Sequence, residues 1–196
     1  MDELGSLKIG VFGSSAKDEV TALYTAAHRV GELIAQGGHR IITGACNGVP
    51  LVAVLGAKSK QGFSIGFTAA TTCQAHETLM DTSPTYYDEL VCIPEDYLYK
   101  ESPVICKKYR NVSSVAACDA AIFISGRWGT LNEFSIAFDT GKVIGVLTGI
   151  GKFASQAEQL VTFFNKTSSA HIIYQSDPDV LLEEVVRIAD ERRQRS

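Results

Sequence analysis

The sequence KIGVFGSSAKDEVTALYTAAHRVGELIAQGGHRIITG, residues 8–44, decides the fold class. It begins with the short apolar run 8–12 and ends with a second one, 40–44, and both predict β-strands. The segment between them predicts a helix that stops at Gly37 and Gly38, a common C-terminal signal. The apolar positions of that helix, at helical spacing, are Val20, Leu23, Ala27, Val30 and Leu33 or Ile34.

The alternation of strand and helix continues along the whole chain of 196 residues. Further apolar, β-rich runs occupy 63–67, 89–93, 120–124, 143–147 and 171–175. Strands that are almost continuously apolar are typical of a parallel sheet covered on both faces. We therefore predict an α/β fold: a doubly wound, mostly parallel sheet with helices on both faces, Rossmann-like, with residues 1–196 as a single domain.

Two segments need separate interpretation. Residues 69–102 are long, polar and aromatic, and we predict a strand with flanking loops that form a lid or a subunit contact. The C-terminal segment predicts a closing helix, with Asp177 as N-cap and Pro178 at the first helical position.

The composition excludes several classes of protein. A formal net charge of −4 gives no general attraction to nucleic acid or to an anionic membrane, so a bound phosphate must be held by local geometry. The arginines at 192, 193 and 195 predict a solvated helix end rather than a binding patch. No run of about 18 apolar residues occurs. We therefore expect neither a membrane nor a nucleic acid as partner.

The cysteines and histidines suggest a reducing compartment and no metal site. The five cysteines are scattered, odd in number and without a CxxC pair. The acidic N-terminus leads directly into a strand, unlike a signal or transit peptide, so we expect a cytoplasmic protein. His28, His39 and the pair His76-Glu77 lack metal-ligand spacing, and we expect no bound metal.

The first strand-to-helix turn is a candidate phosphate-binding site. In an open parallel sheet, ligands bind beyond the carboxyl ends of the strands, where helix N-termini offer free N–H groups. Gly13, Ser14 and Ser15 follow the first strand, and their small size and hydroxyls suit phosphate oxygens. An equally good interpretation makes Ser14 or Ser15 the N-cap of the following helix.

The second turn, TGACNGVPLVA, places Gly44 and Gly48 around Asn47 after the second strand. A nicotinamide-dinucleotide enzyme needs a carboxylate near the end of that strand to hold the ribose, and this turn has none. The first turn is also GxxG, from Gly10 to Gly13, instead of GxGxxG. An ordinary dehydrogenase is therefore disfavoured, and no Walker A loop is present.

The third turn is SGRWGTLNEF, residues 125–134. Gly126 and Gly129 allow backbone N–H groups to approach an anion closely, and Thr130 adds a hydroxyl. Thr130 and Glu133 also form a T-x-x-E pattern, in which Glu133 would only cap the helix. The spacing alone leaves both roles of Glu133 open.

Four stretches together resemble the Lonely-guy family, once labelled "possible lysine decarboxylase", within a nucleotide-binding superfamily that includes molybdenum-cofactor carrier proteins and DprA. They are IGVFGSS, GVPLVAVLGAKSKQGFSIGF, YRNVSSVAACDAAIFISGRWGTLNEFSIAF and GKVIGVLTG. The resemblance covers most of residues 8–150. Its most specific part is the Gly-Thr-x-x-Glu turn with an Arg-Asn upstream.

This resemblance implies a nucleoside 5'-monophosphate phosphoribohydrolase that releases a purine-type base. Arg110 matches the family arginine and Glu133 its catalytic glutamate, while Gly126, Gly129 and Thr130 match the phosphate-binding turn. Cleavage of the N-glycosidic bond builds positive charge on the ribose, which a carboxylate kept ionised near a helix N-terminus would stabilise. Arg110 would orient the substrate or stabilise the leaving base or the phosphate.

The third turn departs from the family motif Pro-Gly-Gly-x-Gly-Thr. Ser125 replaces the proline and Arg127 the second glycine, so Arg127 either adds a phosphate contact or blocks the usual pose. Trp128 keeps an aromatic residue that could stack on a base. Because an extra cation strengthens retention of an anion, the alternative is a non-catalytic binding or carrier protein for a phosphorylated ligand, such as molybdenum cofactor or a signalling nucleotide.

The remaining expectations concern partners and cofactors. The apolar helical run SSVAACDAA, residues 113–121, and the family resemblance imply a homodimer or a higher homo-oligomer. No lysine lies in a recognisable pyridoxal-binding context, so we expect no cofactor and do not propose a decarboxylase. Direct handling of DNA, as the resemblance to DprA would suggest, is disfavoured because no basic stripe is present.

Overall fold

The computed structural model describes residues 5–16, 20–151 and 153–195. Seven strands are β1 (Lys8–Gly13), β2 (Arg40–Thr43), β3 (Ser64–Phe67), β4 (Glu89–Val91), β5 (Ala120–Ile124), β6 (Val143–Leu147) and β7 (His171–Gln175). Seven helices are α1 (Thr21–Gln36), α2 (Val49–Ser59), α3 (Cys73–Met80), α4 (Pro103–Ala116), α5 (Trp128–Asp139), α6 (Phe153–Phe164) and α7 (Pro178–Arg193). Each strand coincides with a run that the sequence predicts, although β1 extends one residue further, β3 begins one residue later, and β2 and β4 end one and two residues earlier.

The strands form one parallel sheet in the order β4-β3-β2-β1-β5-β6-β7. The chain builds outward from β1 in one direction as far as β4 and then in the other direction from β5 to β7. The order therefore reverses between β1 and β5, which pair directly, for example Phe12 with Phe123. This reversal opens a crevice at the carboxyl ends of the two strands, the usual ligand position in such sheets.

Helices cover both faces of the sheet, as predicted. One apolar core joins α1, α2 and α7 to one face, with Val30, Val54 and Val185 among its buried residues. The other core joins α4, α5 and α6 to the opposite face, with Phe123 and Phe134 at its centre. The doubly wound, Rossmann-like α/β prediction is confirmed.

The helix ends were partly predictable. Helix α7 begins as expected, because the carboxylate of Asp177 accepts hydrogen bonds from the N–H groups of Asp179 and Val180 at 2.8 and 3.3 Å. Helix α1 stops before Gly37 and Gly38, and Gly38 has a φ of +72°. Residues 17–19, at the start of the predicted α1 pattern, lie outside the described residues.

The segment 69–102 contains more structure than a strand with loops. It includes α3 and a single 3-10 turn at Pro84–Tyr86 in addition to β4. Helix α3 starts where the hydroxyl of Thr72 accepts a hydrogen bond from the N–H of Ala75 at 3.1 Å. It buries only His76 and Met80, so its apolar pattern is too short to be recognised in the sequence.

Candidate functional site

Three strand-to-helix turns meet at the carboxyl edge of the sheet and enclose a cavity of about 210 Å³. They follow β1, β2 and β5, so the cavity lies at the point where the strand order reverses. Its lining residues are Phe12, Gly13, Ser14, Ser15, Ala16, Gly44, Cys46, Pro50, Arg110, Arg127, Gly129, Thr130 and Glu133. All the site residues predicted from the sequence are among these except Gly48, Gly126 and Trp128.

The N-terminus of α5 faces this cavity. The helix begins at Trp128 with Arg127 as its N-cap residue, and the N–H of Leu131 donates to the carbonyl of Arg127 at 2.9 Å. The N–H groups of the first helical residues, including Gly129 and Thr130, have no acceptor within the helix. They give the cavity the positive end of the helix dipole, which favours an anion.

This helix start removes the capping interpretation of Glu133. In a capping box, Thr130 would be the N-cap and Glu133 the third helical residue. Since α5 starts at Trp128, Glu133 lies in the second turn of the helix. Its side chain lines the cavity, and only 6% of the residue's surface is exposed. Thr130 is 3% exposed and lines the same cavity.

Burial changes the ionisation of Glu133. Loss of solvent contact raises the pKa of its carboxyl to about 7, although Arg110 and then Lys108 lower it. The surroundings therefore favour ionisation of Glu133 less than the sequence suggested, because desolvation outweighs the nearby cations. Glu133 can therefore exist either as carboxylate or as carboxylic acid at physiological pH.

Arg110 enters the cavity from α4, and it is 8% exposed. Its Nη1 donates a hydrogen bond to the carbonyl oxygen of Gly44. A Cβ at Gly44 would lie 1.7 Å from that Nη1, so the glycine leaves room for the guanidinium. The Nε–H of Arg110 has no hydrogen-bond acceptor among the described residues. Arg110 as a residue lines the cavity, where a guanidinium suits an anionic or carbonyl oxygen of a ligand.

Two further features set the surroundings of this pair. The side-chain amide of Asn111 donates to Oδ1 of Asn132 at 2.9 Å, which ties α4 to α5 beside Arg110 and Glu133. The thiol of Cys46 lies against Arg110 in the cavity wall, and burial raises its pKa, so it is a neutral thiol at pH 7. Sequence reasoning missed Cys46, although its place in the glycine-flanked second turn was a usable signal.

The first turn supports the cavity without capping a helix. Helix α1 starts only at Thr21, with Val20 as its N-cap residue, so the N-cap interpretation of Ser14 and Ser15 is wrong. The buried hydroxyl of Ser14 instead accepts a hydrogen bond from the N–H of Ala16 at 3.3 Å. The side chain of Ser15 is exposed and lines the cavity.

Gly48 and Gly126 shape the turns from outside the cavity lining. Gly48 packs against the backbone of Ser14, where a Cβ would lie 2.4 Å from the carbonyl oxygen. Gly126 has a φ of +141°, and the side chain of Thr130 occupies the space of a Cβ at that position. Ser125 precedes it with a φ of +56°, which a proline cannot adopt, so the family proline would not fit this turn.

Trp128 does not join the cavity. Its indole is 83% exposed and lies on the outer side of α5, toward α6. The predicted stacking on a base inside the Glu133 cavity therefore has no support in the geometry of this chain alone. Arg127 is also exposed, but it does line the cavity.

The described residues offer neither a metal-binding cluster nor a membrane-spanning helix. Within the described ranges, no group of three or more His, Cys, Asp and Glu side chains is placed to hold a metal ion. None of the helices in the described part of the chain is long and apolar enough to cross a membrane.

Comparison with known proteins identifies the family. Residues 6–182 match the family model of the SLOG cluster4 family. The chain belongs to the SLOG cluster4 family. An uncharacterized protein of Archaeoglobus fulgidus is 33% identical over 141 residues, which cover 72% of this chain and 80% of that protein.

Solved structures share the fold at lower identity. A molybdenum cofactor binding protein from Rippkaea orientalis is 22% identical, with a TM-score of 0.72 over 94% of this chain and 98% of its own. The molybdenum cofactor carrier protein of Chlamydomonas reinhardtii is 20% identical, with a TM-score of 0.70 over 95% and 99% of the two chains. DNA processing protein A from Helicobacter pylori is 15% identical, with a TM-score of 0.62 over 92% and 82%.

The family match confirms the predicted kind of family, and the chain shares its fold with the cofactor carriers and with DNA processing protein A. At such identities the structural likeness establishes the fold alone. The Helicobacter pylori structure is described as binding single-stranded DNA. The expectation that nucleic acid is not a partner is therefore without support from the comparisons.

Proposed function

We propose that this SLOG cluster4 protein binds a nucleoside 5'-monophosphate in the Glu133 cavity and hydrolyses its N-glycosidic bond to release a purine-type base. The observation that carries the proposal is the meeting of a buried carboxyl, Glu133, and a buried guanidinium with a free donor, Arg110, at the N-terminus of α5. An anion site and an acid-base group thus share one cavity.

The phosphate is assigned to the N-terminus of α5. The unpaired N–H groups of Gly129 and Thr130, the Thr130 hydroxyl and the exposed guanidinium of Arg127 all adjoin the same cavity. Together they offer neutral and charged donors to the phosphate oxygens. The hydroxyl of Ser15 adds a donor from the first turn.

The ribose is assigned to the side of the cavity that holds Glu133. When the bond between C1' of the ribose and the base nitrogen breaks, its electron pair leaves with the base and positive charge develops on the sugar. The ionised carboxylate of Glu133 stabilises that charge. Water then adds to C1', and the proton that it loses is taken up by the departing base, which gives ribose 5-phosphate and the free base. The guanidinium of Arg110, which lines the same cavity, binds the substrate and keeps it oriented.

A non-catalytic role is the second candidate, and Arg127 favours it. An exposed arginine at the cavity mouth, where the family motif has glycine, adds a cation that retains an anion. Such a protein would bind or carry a phosphorylated ligand such as molybdenum cofactor or a signalling nucleotide. The raised pKa of Glu133 to about 7 also suits a group whose neutral form tolerates a nearby phosphate.

A base-release assay with a panel of nucleoside monophosphates separates the two candidates. Wild-type protein is compared with Glu133→Gln and with the control Glu183→Gln, which changes an exposed glutamate on α7. The hydrolase proposal predicts release of free base that falls by about 10²–10⁴-fold only in Glu133→Gln. Unchanged turnover in that variant would remove Glu133 from the reaction.

Two further results of that experiment have defined meanings. Absence of release, together with a phosphorylated compound that co-purifies with the protein and is identified by mass spectrometry, would establish the carrier role. Salt-sensitive retardation of single-stranded DNA by the wild-type protein, without nucleotide binding, would favour a role in handling DNA.

A further inference from the structure

Two of the five cysteines meet at one edge of the sheet. Cys92 directly follows β4, which is an edge strand, and Cys73 is the first residue of α3. Both are free thiols, with Cys73 exposed and Cys92 partly buried. Residues 74–91 separate them in the chain, so the fold brings together two cysteines whose spacing gives no sign of a pair.

The backbone beyond β3 and β4 explains this proximity. Two hydrogen bonds of 2.9 Å continue the pairing of the two strands into the segments 68–70 and 91–93. They run from the N–H of Thr68 to the carbonyl of Val91 and from the N–H of Ile93 to the carbonyl of Ala70. Cys92 is the middle residue of the second segment, and only two residues separate the first segment from Cys73. The chain therefore passes beside Cys92 immediately before it reaches Cys73.

The two thiols interact directly. Burial raises the pKa of the Cys92 thiol, and the thiol of Cys73 raises it further through its charge and through a side-chain hydrogen bond. A hydrogen bond between two thiols joins neighbouring sulfur atoms. The two sulfurs are thus neighbours in the folded protein, which is the first requirement for a disulfide.

The other three cysteines have different surroundings. Cys106 and Cys118 are buried, and each donates its S–H to backbone carbonyl oxygen. Cys46 lies in the wall of the Glu133 cavity. Buried thiols are generally inert toward oxidants, whereas an exposed thiol beside a second one is typical of redox-sensitive pairs.

Metal binding would be the other common use of two neighbouring thiols. A tetrahedral metal site takes three or four protein ligands, and in residues 5–16, 20–151 and 153–195 no group of three or more such side chains is placed to supply them. His76 on α3 has both ring nitrogens engaged, Nδ1 with the hydroxyl of Thr68 at 2.8 Å and Nε2 with that of Thr82 at 3.1 Å. Disulfide formation is therefore the chemistry that this pair favours.

We propose that Cys73 and Cys92 are a reversible redox site, in which a low-molecular-weight disulfide oxidises the two thiols to an intramolecular disulfide that ties α3 to the end of β4. This site lies apart from the Glu133 cavity, and it does not depend on the function proposed above.

The oxidation takes place in two exchange steps. The thiolate of Cys73, which is the more exposed of the two, attacks one sulfur of the oxidant, whose S–S bond breaks to release one half as a thiolate. Cys92 then loses its proton, and its thiolate attacks the Cys73 sulfur of the mixed disulfide to release the second half. Two protein thiols are oxidised, and the oxidant is reduced to two small thiols that take up the two protons.

The new bond closes a loop around α3. In the reduced protein this helix is held by its cap at Thr72, by the hydrogen bonds of His76, and by the bond from Nδ2 of Asn47 to the carbonyl oxygen of Asp81 at 2.7 Å. A disulfide constrains the unfolded chain between its ends, here residues 74–91. We expect the oxidised protein to melt about 5–10 °C higher than the reduced protein.

Mass spectrometry of the full chain tests the site. The protein is equilibrated with mixtures of glutathione and glutathione disulfide, unfolded, alkylated with iodoacetamide and digested. At oxidising ratios we expect the wild type to lose two hydrogens, to keep three of its five alkylatable thiols and to yield a linked peptide pair that contains Cys73 and Cys92. Excess glutathione should restore all five thiols.

Three variants separate the roles of the cysteines. Cys92→Ser is expected to retain glutathione on Cys73 as a mixed disulfide, because the second thiol is missing. Cys73→Ser should form no intramolecular bond and should melt at the same temperature under both conditions. The matched control is Cys106→Ser, which changes a buried thiol on α4 and should still form the bond. Circular dichroism of each variant verifies that the fold is kept.

Several results would overturn the proposal. Five alkylatable thiols in the wild type at every ratio would do so. A bond that joins two molecules through Cys73, seen as a dimer on a non-reducing gel, or one that joins a different pair of cysteines, would also do so. An oxidised protein that contains the bond but melts no higher than the reduced protein would refute the constraint on α3.

Discussion

The guanidinium of Arg110 in α4 donates a hydrogen bond to the carbonyl oxygen of Gly44, which follows β2, across 66 residues of sequence. This bond fixes one nitrogen of the arginine to the second turn, while the residue still lines the cavity. The same side chain is one of the two cations whose charge is felt by Glu133. Gly44 thus controls the geometry of the cavity although it has no side chain.

Gly44→Ala is expected to displace Arg110, because the new Cβ would lie 1.7 Å from its Nη1. Losing a charge-assisted hydrogen bond of roughly 1.5–3 kcal/mol predicts ligand binding weaker by about 10–150-fold, measured by isothermal titration with AMP. Gly129→Ala is the control for the free energy of unfolding, which it should leave unchanged or raise. No atom lies within 4 Å of a Cβ at Gly129, and alanine favours a helix more than glycine does. Unchanged AMP affinity in Gly44→Ala would show that Arg110 does not contact the ligand.

The stability of the wild type should depend on pH through Glu133. Its pKa is about 4.5 when exposed and about 7 in the folded protein, so the folded state binds the proton more tightly. The contribution of protonated Glu133 to the free energy of unfolding is fully present below pH 4.5 and is lost as the pH rises through 7. The free energy of unfolding falls by about 3 kcal/mol over this range. Glu133→Gln removes this dependence, so the variant should exceed the wild type in free energy of unfolding most at pH 8. Urea denaturation at pH 5 and pH 8 measures the difference, and parallel curves for the two proteins would contradict the burial of an ionisable carboxyl.

The rate of base release should also follow the ionisation of Glu133. If the carboxylate stabilises charge on the ribose, kcat/KM is low when Glu133 is protonated and rises with pH to a plateau above about 7. The measurement is a pH profile with AMP, accompanied by its dissociation constant at each pH. A profile that falls through pH 7 would assign Glu133 as a proton donor to the leaving base instead.

Arg127 should strengthen the retention of anions. Arg127→Ala removes an exposed cation from the cavity mouth, and we expect affinity for inorganic phosphate to fall by about tenfold. Arg187→Ala is the matched control, because Arg187 is an exposed arginine on α7 that pairs with Glu191 at 2.7 Å. Equal loss in both variants would mean that general charge, and not the position of Arg127, holds the anion.

The sequence was sufficient for the framework of the fold. The seven strands could be recognised as apolar runs, because both faces of a parallel sheet are covered by helices. The start of α7 could be predicted from the N-cap residue Asp177 and the following Pro178. Helix α3 escaped prediction because it is eight residues long and buries only His76 and Met80. Short helices of this kind depend on tertiary contacts more than on a periodic pattern.

The site was less predictable than the fold. The third turn was recognisable from small residues, but the spacing could not decide the role of Glu133, because that depends on whether α5 starts at Thr130 or at Trp128. Trp128 was expected to be able to stack on a base, yet its indole is exposed on the outer side of α5 and does not line the cavity. The contact between Arg110 and Gly44 joins distant segments and leaves no local trace in the sequence.

The most direct test of the account is a crystal structure of Glu133→Gln with AMP. The account predicts the phosphate within hydrogen-bonding distance of the N–H groups of Gly129 and Thr130, with the ribose facing residue 133 and Arg110. AMP bound away from this cavity, or bound in it with the ribose out of reach of residue 133, would contradict the assignment of the cavity as a phosphoribohydrolase site.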